Sequence, residues 1–235
     1  MTLHERFSCC VFFVAQNITI QHTRTIRADE LLKMKSETNN SKPHIVLCAP
    51  KKTGKTTLIE RIIRDAGAPA AGSPIPVYGF QTKRFAGSDG INRIYMFPAG
   101  QAQTETITPD ARYLGSTCGR VRDVCAETFD TYGTTLIQSA RPDGLLVMDE
   151  IGHMEKDSPL FLQAIFESLD GDIPILASVR YTVAPIDCLE RIKRHPRVRL
   201  YMLTEENRDA VYIEIRYALL GDIADRKEER DREPI

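Results

Sequence analysis

His44-Ile45-Val46-Leu47-Cys48-Ala49-Pro50-Lys51-Lys52-Thr53-Gly54-Lys55-Thr56-Thr57-Leu58 reads as an apolar strand, a tight loop and the start of a helix. That order builds an anion cradle, because backbone N–H groups in the loop and at the helix N-terminus converge on one point. Gly54 lets the backbone approach a phosphate, Lys55 reaches the β and γ oxygens, and the Thr56 hydroxyl is a ligand for Mg²⁺. The nucleotide-binding stretch is therefore read as Ala49, Pro50, Lys51, Lys52, Thr53, Gly54, Lys55, Thr56 and Thr57. Context separates this from a chance Gly-Lys-Thr turn: the preceding run is a buried-strand pattern, and Leu58, Ile59, Ile62 and Ile63 recur at helical spacing before Gly67.

Two positions depart from the usual phosphate loop. Ala49 stands where the first glycine is normal, at little cost unless its φ must be positive. Lys52 stands where many such loops carry another glycine, and with Lys51 it adds positive charge. The loop is expected to be modestly strained or reshaped around its ligand.

The 235-residue chain is 42% hydrophobic and 27% charged, ordinary values for a globular protein. With 31 basic and 32 acidic residues its net charge is −1, so no global field draws in nucleic acid or an anionic membrane, and a nucleic-acid motor is disfavoured. Six cysteines, at 9, 10, 48, 118, 125 and 188, form no C-x-x-C pair and no zinc spacing. Reduced thiols and the lack of a secretory pattern point to the cytoplasm. Residues 1–42 read as an N-terminal extension, either poorly ordered or not translated, with Met34 as an alternative start. The apolar run Cys9 to Ala15 is too short for a bilayer, which needs about 20 residues. Residues 43–221 read as one domain, and 222–235 as a charged, solvated tail.

Beyond the loop, Val77 to Thr82 and Ile91 to Phe97 read as a β-hairpin whose tip carries Lys83, Arg84 and Arg93. Gln101 to Asp110 reads as a loop, Arg120 to Val124 as a short strand and Glu127 to Ala140 as a helix. Leu145-Leu146-Val147-Met148-Asp149-Glu150 is an apolar run closed by two carboxylates, and full apolarity means burial on both faces, as in a parallel sheet covered by helices. A helix over Pro159 to Leu169, a strand over Ile173 to Val179, a helix over Asp187 to His195, a strand over Val198 to Leu203 and a helix over Glu205 to Leu220 complete the alternation. The fold class is α/β, an open, mostly parallel sheet between helices, with ligands expected outside the strands' carboxyl ends.

At those ends Asp149 is the expected partner of Thr56 in holding Mg²⁺, and Glu150, pointing to the opposite side of the strand end, the expected general base for water. Lys55 and Glu150 are the candidate catalytic residues. Arg84, Arg93, Arg120, Arg180 and Arg208 are all candidates for a transition-state cation, a role worth on the order of 10³ to 10⁵ in rate.

Asp149-Glu150-Ile151-Gly152-His153-Met154-Glu155, with Phe161, resembles the Asp-Glu-Ile-Gly-Lys-Met-Glu signature of the small nucleoside-triphosphatases of thermophiles and vertebrates. Gly79-Phe80-Gln81-Thr82 and Thr204-Glu205-Glu206-Asn207-Arg208-Asp209 are similar to two further stretches of that family. The resemblance implies a RecA-like P-loop sheet and Mg²⁺-dependent hydrolysis of nucleoside triphosphates, with Lys55, Thr56, Asp149 and Glu150 in the roles above. His153 replaces the family's usual lysine. A nucleotide or small-molecule kinase shares every P-loop feature and would need an acceptor pocket, placed beneath the 78–97 hairpin; a non-catalytic nucleotide-binding module is the third reading.

Overall fold

The computed structural model describes residues 43–68, 74–101 and 106–226. Its strands are β1 (His44–Ala49), β2 (Val77–Ala86), β3 (Asn92–Pro98), β4 (Arg112–Cys118), β5 (Arg120–Val124), β6 (Leu145–Ile151), β7 (Ile175–Arg180) and β8 (Val198–Met202). They form one sheet in the order β5-β4-β3-β2-β6-β7-β1-β8. β2, β6, β7, β1 and β8 run parallel. β3, β4 and β5 extend the sheet beyond β2 as an antiparallel meander.

Helices are α1 (Lys55–Gly67), α2 (Ala126–Thr128, continued by a π-helical stretch Phe129–Gly133 and by Thr134–Gln138), α3 (Pro159–Asp170), α4 (Asp187–Lys193) and α5 (Arg208–Arg216, continued by a π-helical stretch Tyr217–Gly221). Successive strand residues face opposite ways. Ile45, Leu47 and Ala49 thus join Leu58, Ile59 and Ile62 of α1 and Val211 and Ile215 of α5 in one core. Val46 and Cys48 join Phe161 and Ile165 of α3 and Leu189 of α4 in the other. Two cores, one per face, are why β1, β6 and β7 read as unbroken apolar runs. Phe161 stacks at 5.3 Å from Phe80 and 5.3 Å from Phe129, locking α2 and α3 to β2.

The predicted α/β alternation holds, with three differences. β4 lies in residues 112–118, a stretch to which the sequence assigns no element between the expected loop over Gln101 to Asp110 and the strand over Arg120 to Val124. β2 runs on to Ala86 because its second half pairs with β3 after its first half has paired with β6. Residues 222–226 remain helical and Ile223 is 1% exposed, so the domain runs past residue 221 and the tail does not begin as solvated chain at Asp222. The expected extension over 1–42 lies outside the described residues. Among those described, no helix is long and apolar enough to cross a membrane, and Cys48, Cys118, Cys125 and Cys188 are free thiols.

Candidate active site

The loop between β1 and α1 has two residues in left-handed backbone, Lys52 at φ 67° and Gly54 at φ 101°. Glycine adopts that region without penalty, whereas lysine pays for its Cβ. The strain expected from the sequence therefore sits at Lys52. Ala49, the other departure, ends β1 with ordinary φ and is 1% exposed, so a methyl group there is well tolerated.

Lys55 opens α1 and is 6% exposed. Its Nζ donates to the carbonyls of Ala49 at 2.9 Å and Pro50 at 3.3 Å, which hold it across the crown of the loop. Glu150 Oε2 lies 3.3 Å from the same ammonium. Thr53 closes the loop by donating its hydroxyl to Pro50 O at 3.0 Å.

Asp149 and Glu150 end β6 where its register with β7 shifts between Met148 and Ile151. Both carboxylates turn toward the loop, which corrects the expectation that Glu150 points to the opposite side. Asp149 is 1% exposed and accepts from Ser178 Oγ of β7 at 2.5 Å. Burial raises its pKa to about 6; the hydroxyls of Ser178 and Thr56 favour the ionised form, and neighbouring Glu150 opposes it. Its second oxygen, Oδ2, is buried with no hydrogen-bond partner. An unpartnered buried carboxylate oxygen beside a threonine hydroxyl is the donor set a hard cation takes, directly or through water. Thr56 and Asp149 fit Mg²⁺ on that ground. Among the described residues, no three His, Cys, Asp or Glu side chains gather as a metal cage of their own.

The Glu150 backbone N–H donates to Thr82 Oγ1 of β2 at 3.3 Å, fixing the strand end. Next to it opens a cavity of about 180 Å³ lined by Thr56, Glu150, Arg84, Arg180 and His153, with Ile94, Leu114, Phe129 and Met154 as its apolar wall. Arg180 Nη1 lies 3.1 Å from His153 Nδ1. Burial first, then Arg180 and Lys51, hold the His153 pKa below its ordinary value, so the ring is neutral near pH 7 and Nδ1 accepts from the guanidinium. A larger depression of about 420 Å³ between α3 and α4, lined by Phe166, Glu190 and Arg194, lies away from the strands' carboxyl ends.

The five candidate arginines separate. Arg84 and Arg180 line the cavity. Arg208, at the start of α5, lies 3.7 Å from where a Cβ on Gly54 would sit, and so flanks the loop. Arg93 is held at the hairpin turn by Asp89 at 2.8 Å, and Arg120, exposed on β5, is not among the cavity's lining residues. In the sequence Glu155 is distinguished only as the last residue of the Asp149–Glu155 motif. It is 4% exposed, takes the Gly152 N–H at 2.9 Å and fixes the turn that carries His153. Glutamate one turn past a glycine, closing a strand exit, was the available signal.

A family model described as NTPase matches residues 44–216. The nucleoside-triphosphatase THEP1 of Thermotoga petrophila is 26% identical over 185 residues, 74% of this chain and 92% of that protein. The Thermofilum pendens protein of the same name is 42% identical over 65 residues, 28% of this chain, which spans only 36% of that relative's length. The crystal structure of THEP1 from Aquifex aeolicus superposes with a TM-score of 0.55 at 22% identity, covering 73% of this chain and 96% of that one, and supports the P-loop fold. The family model spans the loop and the carboxylate pair alike, and this chain belongs to the NTPase family of hydrolases.

Proposed function

We propose that this chain hydrolyses nucleoside 5′-triphosphates to the diphosphate and phosphate in a Mg²⁺-dependent reaction. The observation that carries this reading is the meeting of Glu150 with Lys55 at 3.3 Å, beside a buried Asp149 whose Oδ2 has no partner. Thr56 and Asp149 would hold Mg²⁺, which would supply charge neutralisation to the triphosphate. Lys55 places a second positive charge there. Asp149 is kept ionised by Ser178 and Thr56 against the cost of its burial. Glu150 accepts a proton from the attacking water and orients it for in-line displacement at the γ-phosphorus. Arg180, steadied by His153, lines the cavity beside Glu150, and Arg208 flanks the loop at Gly54.

The test is Glu150→Gln. Phosphate release should fall by about 10² to 10⁴ while nucleotide affinity, read by calorimetry, stays within a few-fold. Wild-type turnover in that variant would remove Glu150 from the role of base.

A further inference from the structure

The cavity beside Glu150 is larger than a water molecule requires. Its accessible hydrocarbon comes chiefly from Ile94 of β3, behind which Leu114, Phe129 and Met154 are packed in the core. Two guanidinium groups also line the cavity, Arg84 of β2 and Arg180 of β7, and after burial, the larger cause, both help to lower the pKa of neighbouring Lys51. Of the carboxylates on the lining, Glu150 is already paired with Lys55. Burial raises the pKa of the other, Glu155, to about 7. The lining is therefore positive on balance, and two guanidinium groups suit a phosphate or carboxylate, which they can grip through paired N–H donors. At about 180 Å³ the space is below the ~300 Å³ at which pockets for drug-sized ligands begin. It suits a short molecule with an anionic head and a few carbons.

We propose that this cavity is an acceptor site for a small hydroxylated organic anion, a phosphorylated or carboxylated polyol, which receives the γ-phosphoryl group in place of water. The inference rests on the P-loop reading above and names a second substrate for the same site. The acceptor's hydroxyl oxygen attacks the γ-phosphorus as Glu150 takes its proton. A new O–P bond forms, the bond from the γ-phosphorus to the β–γ bridging oxygen breaks, and its electron pair leaves on the nucleoside diphosphate. The anionic head lies at Arg84 and Arg180 and the carbon chain against Ile94.

The probes are glycerate, glycerol 3-phosphate and ribose 5-phosphate. Calorimetry on full-length protein loaded with Mg²⁺ and a non-hydrolysable ATP analogue should show saturable binding of at least one of them. That binding should weaken tenfold or more in Arg84→Ala. Ile94→Trp, which fills the apolar side, should abolish it, and both variants should keep the affinity for the analogue. With γ-labelled ATP, the bound probe should carry label as a phosphate ester. Absence of binding by all three, binding unchanged in Arg84→Ala, or binding with label found solely in inorganic phosphate would each overturn the acceptor site. Label in inorganic phosphate without any probe tests the hydrolase reading by itself, so the two can fail separately.

Discussion

At the scale of single residues, the phosphate loop carries its cost at Lys52 and not at Ala49. Lysine at φ 67° sits in a region that disfavours a Cβ by about 1 to 2 kcal/mol. Lys52→Gly should therefore stabilise the fold by about 1 kcal/mol after glycine's larger chain entropy is subtracted, as urea melts will show. Ala49→Gly should lose about 1 kcal/mol, because strand backbone gains nothing from glycine. Glu155 gives a pH signature. Its folded pKa is near 7 against an ordinary value of 4.5, burial being the main cause. The folded state thus binds more protons than the unfolded chain between those values, and stability falls as pH rises from about 4.5 to about 7. Melts of Glu155→Gln across that window should lose the Glu155 share of this slope, chiefly its upper part above the Asp149 value of about 6, since an amide still accepts the Gly152 N–H but does not titrate. A slope equal to wild type would place the proton elsewhere.

Among elements, β2 is the hinge between two kinds of pairing, and Gly79 is what allows it. Its φ is 91°, and a Cβ there would lie 2.1 Å from the Val147 carbonyl oxygen of β6. Gly79→Ala should cost at least 3 kcal/mol, since both strain and a backbone clash are incurred on a central parallel pair, a scale typical of overpacked cores at about 1 to 3 kcal/mol plus the left-handed penalty; circular dichroism melts measure it. This element scale was largely legible in the sequence. β1, β6 and β7 announce themselves because burial on both faces leaves no polar alternation. β4 does not, since Arg112-Tyr-Leu-Gly-Ser-Thr-Cys offers only Leu114 as a strongly apolar inward residue and a glycine at φ 151°. The candidate site was legible in Lys55, Thr56, Asp149 and Glu150, which are close in kind to their motifs. The sharing-out of the arginines was not, because which of them reach the cavity depends on strand order, and nothing in a local pattern encodes that order.

For the whole molecule, the proposed function makes nucleotide and Mg²⁺ ligands of the folded state, so stability should report them without any turnover. A ligand at 100 times its Kd adds about 2.7 kcal/mol. Thermal melts with ADP should shift upward, and Mg²⁺ should add a further shift that is lost in Asp149→Asn, where Oδ2 becomes an uncharged amide atom. An equal Mg²⁺ increment in that variant would remove Asp149 from metal binding. Helix α5 belongs to the same unit as the loop: Tyr212 Oη donates to Asp65 Oδ2 at 2.5 Å and Arg216 to the same oxygen at 2.9 Å, tying the last helix to the one that follows the phosphate loop.

The place of β1 in the sheet has a bearing on how the protein is made. His44 pairs with Ile175 on one side and with Val198 on the other, so the strand that leads into the phosphate loop is hemmed by the two strands translated last. Contact order at the nucleotide site is accordingly high, and such pairings form slowly because a long loop must close before they repay its entropy. On the ribosome, apolar β1 must wait unpaired until β7 has emerged, and one of its edges stays open until β8 follows. Nascent chains halted before β8 should therefore bind no nucleotide and recruit chaperones, whereas release of the full sheet creates the binding site in a single late step.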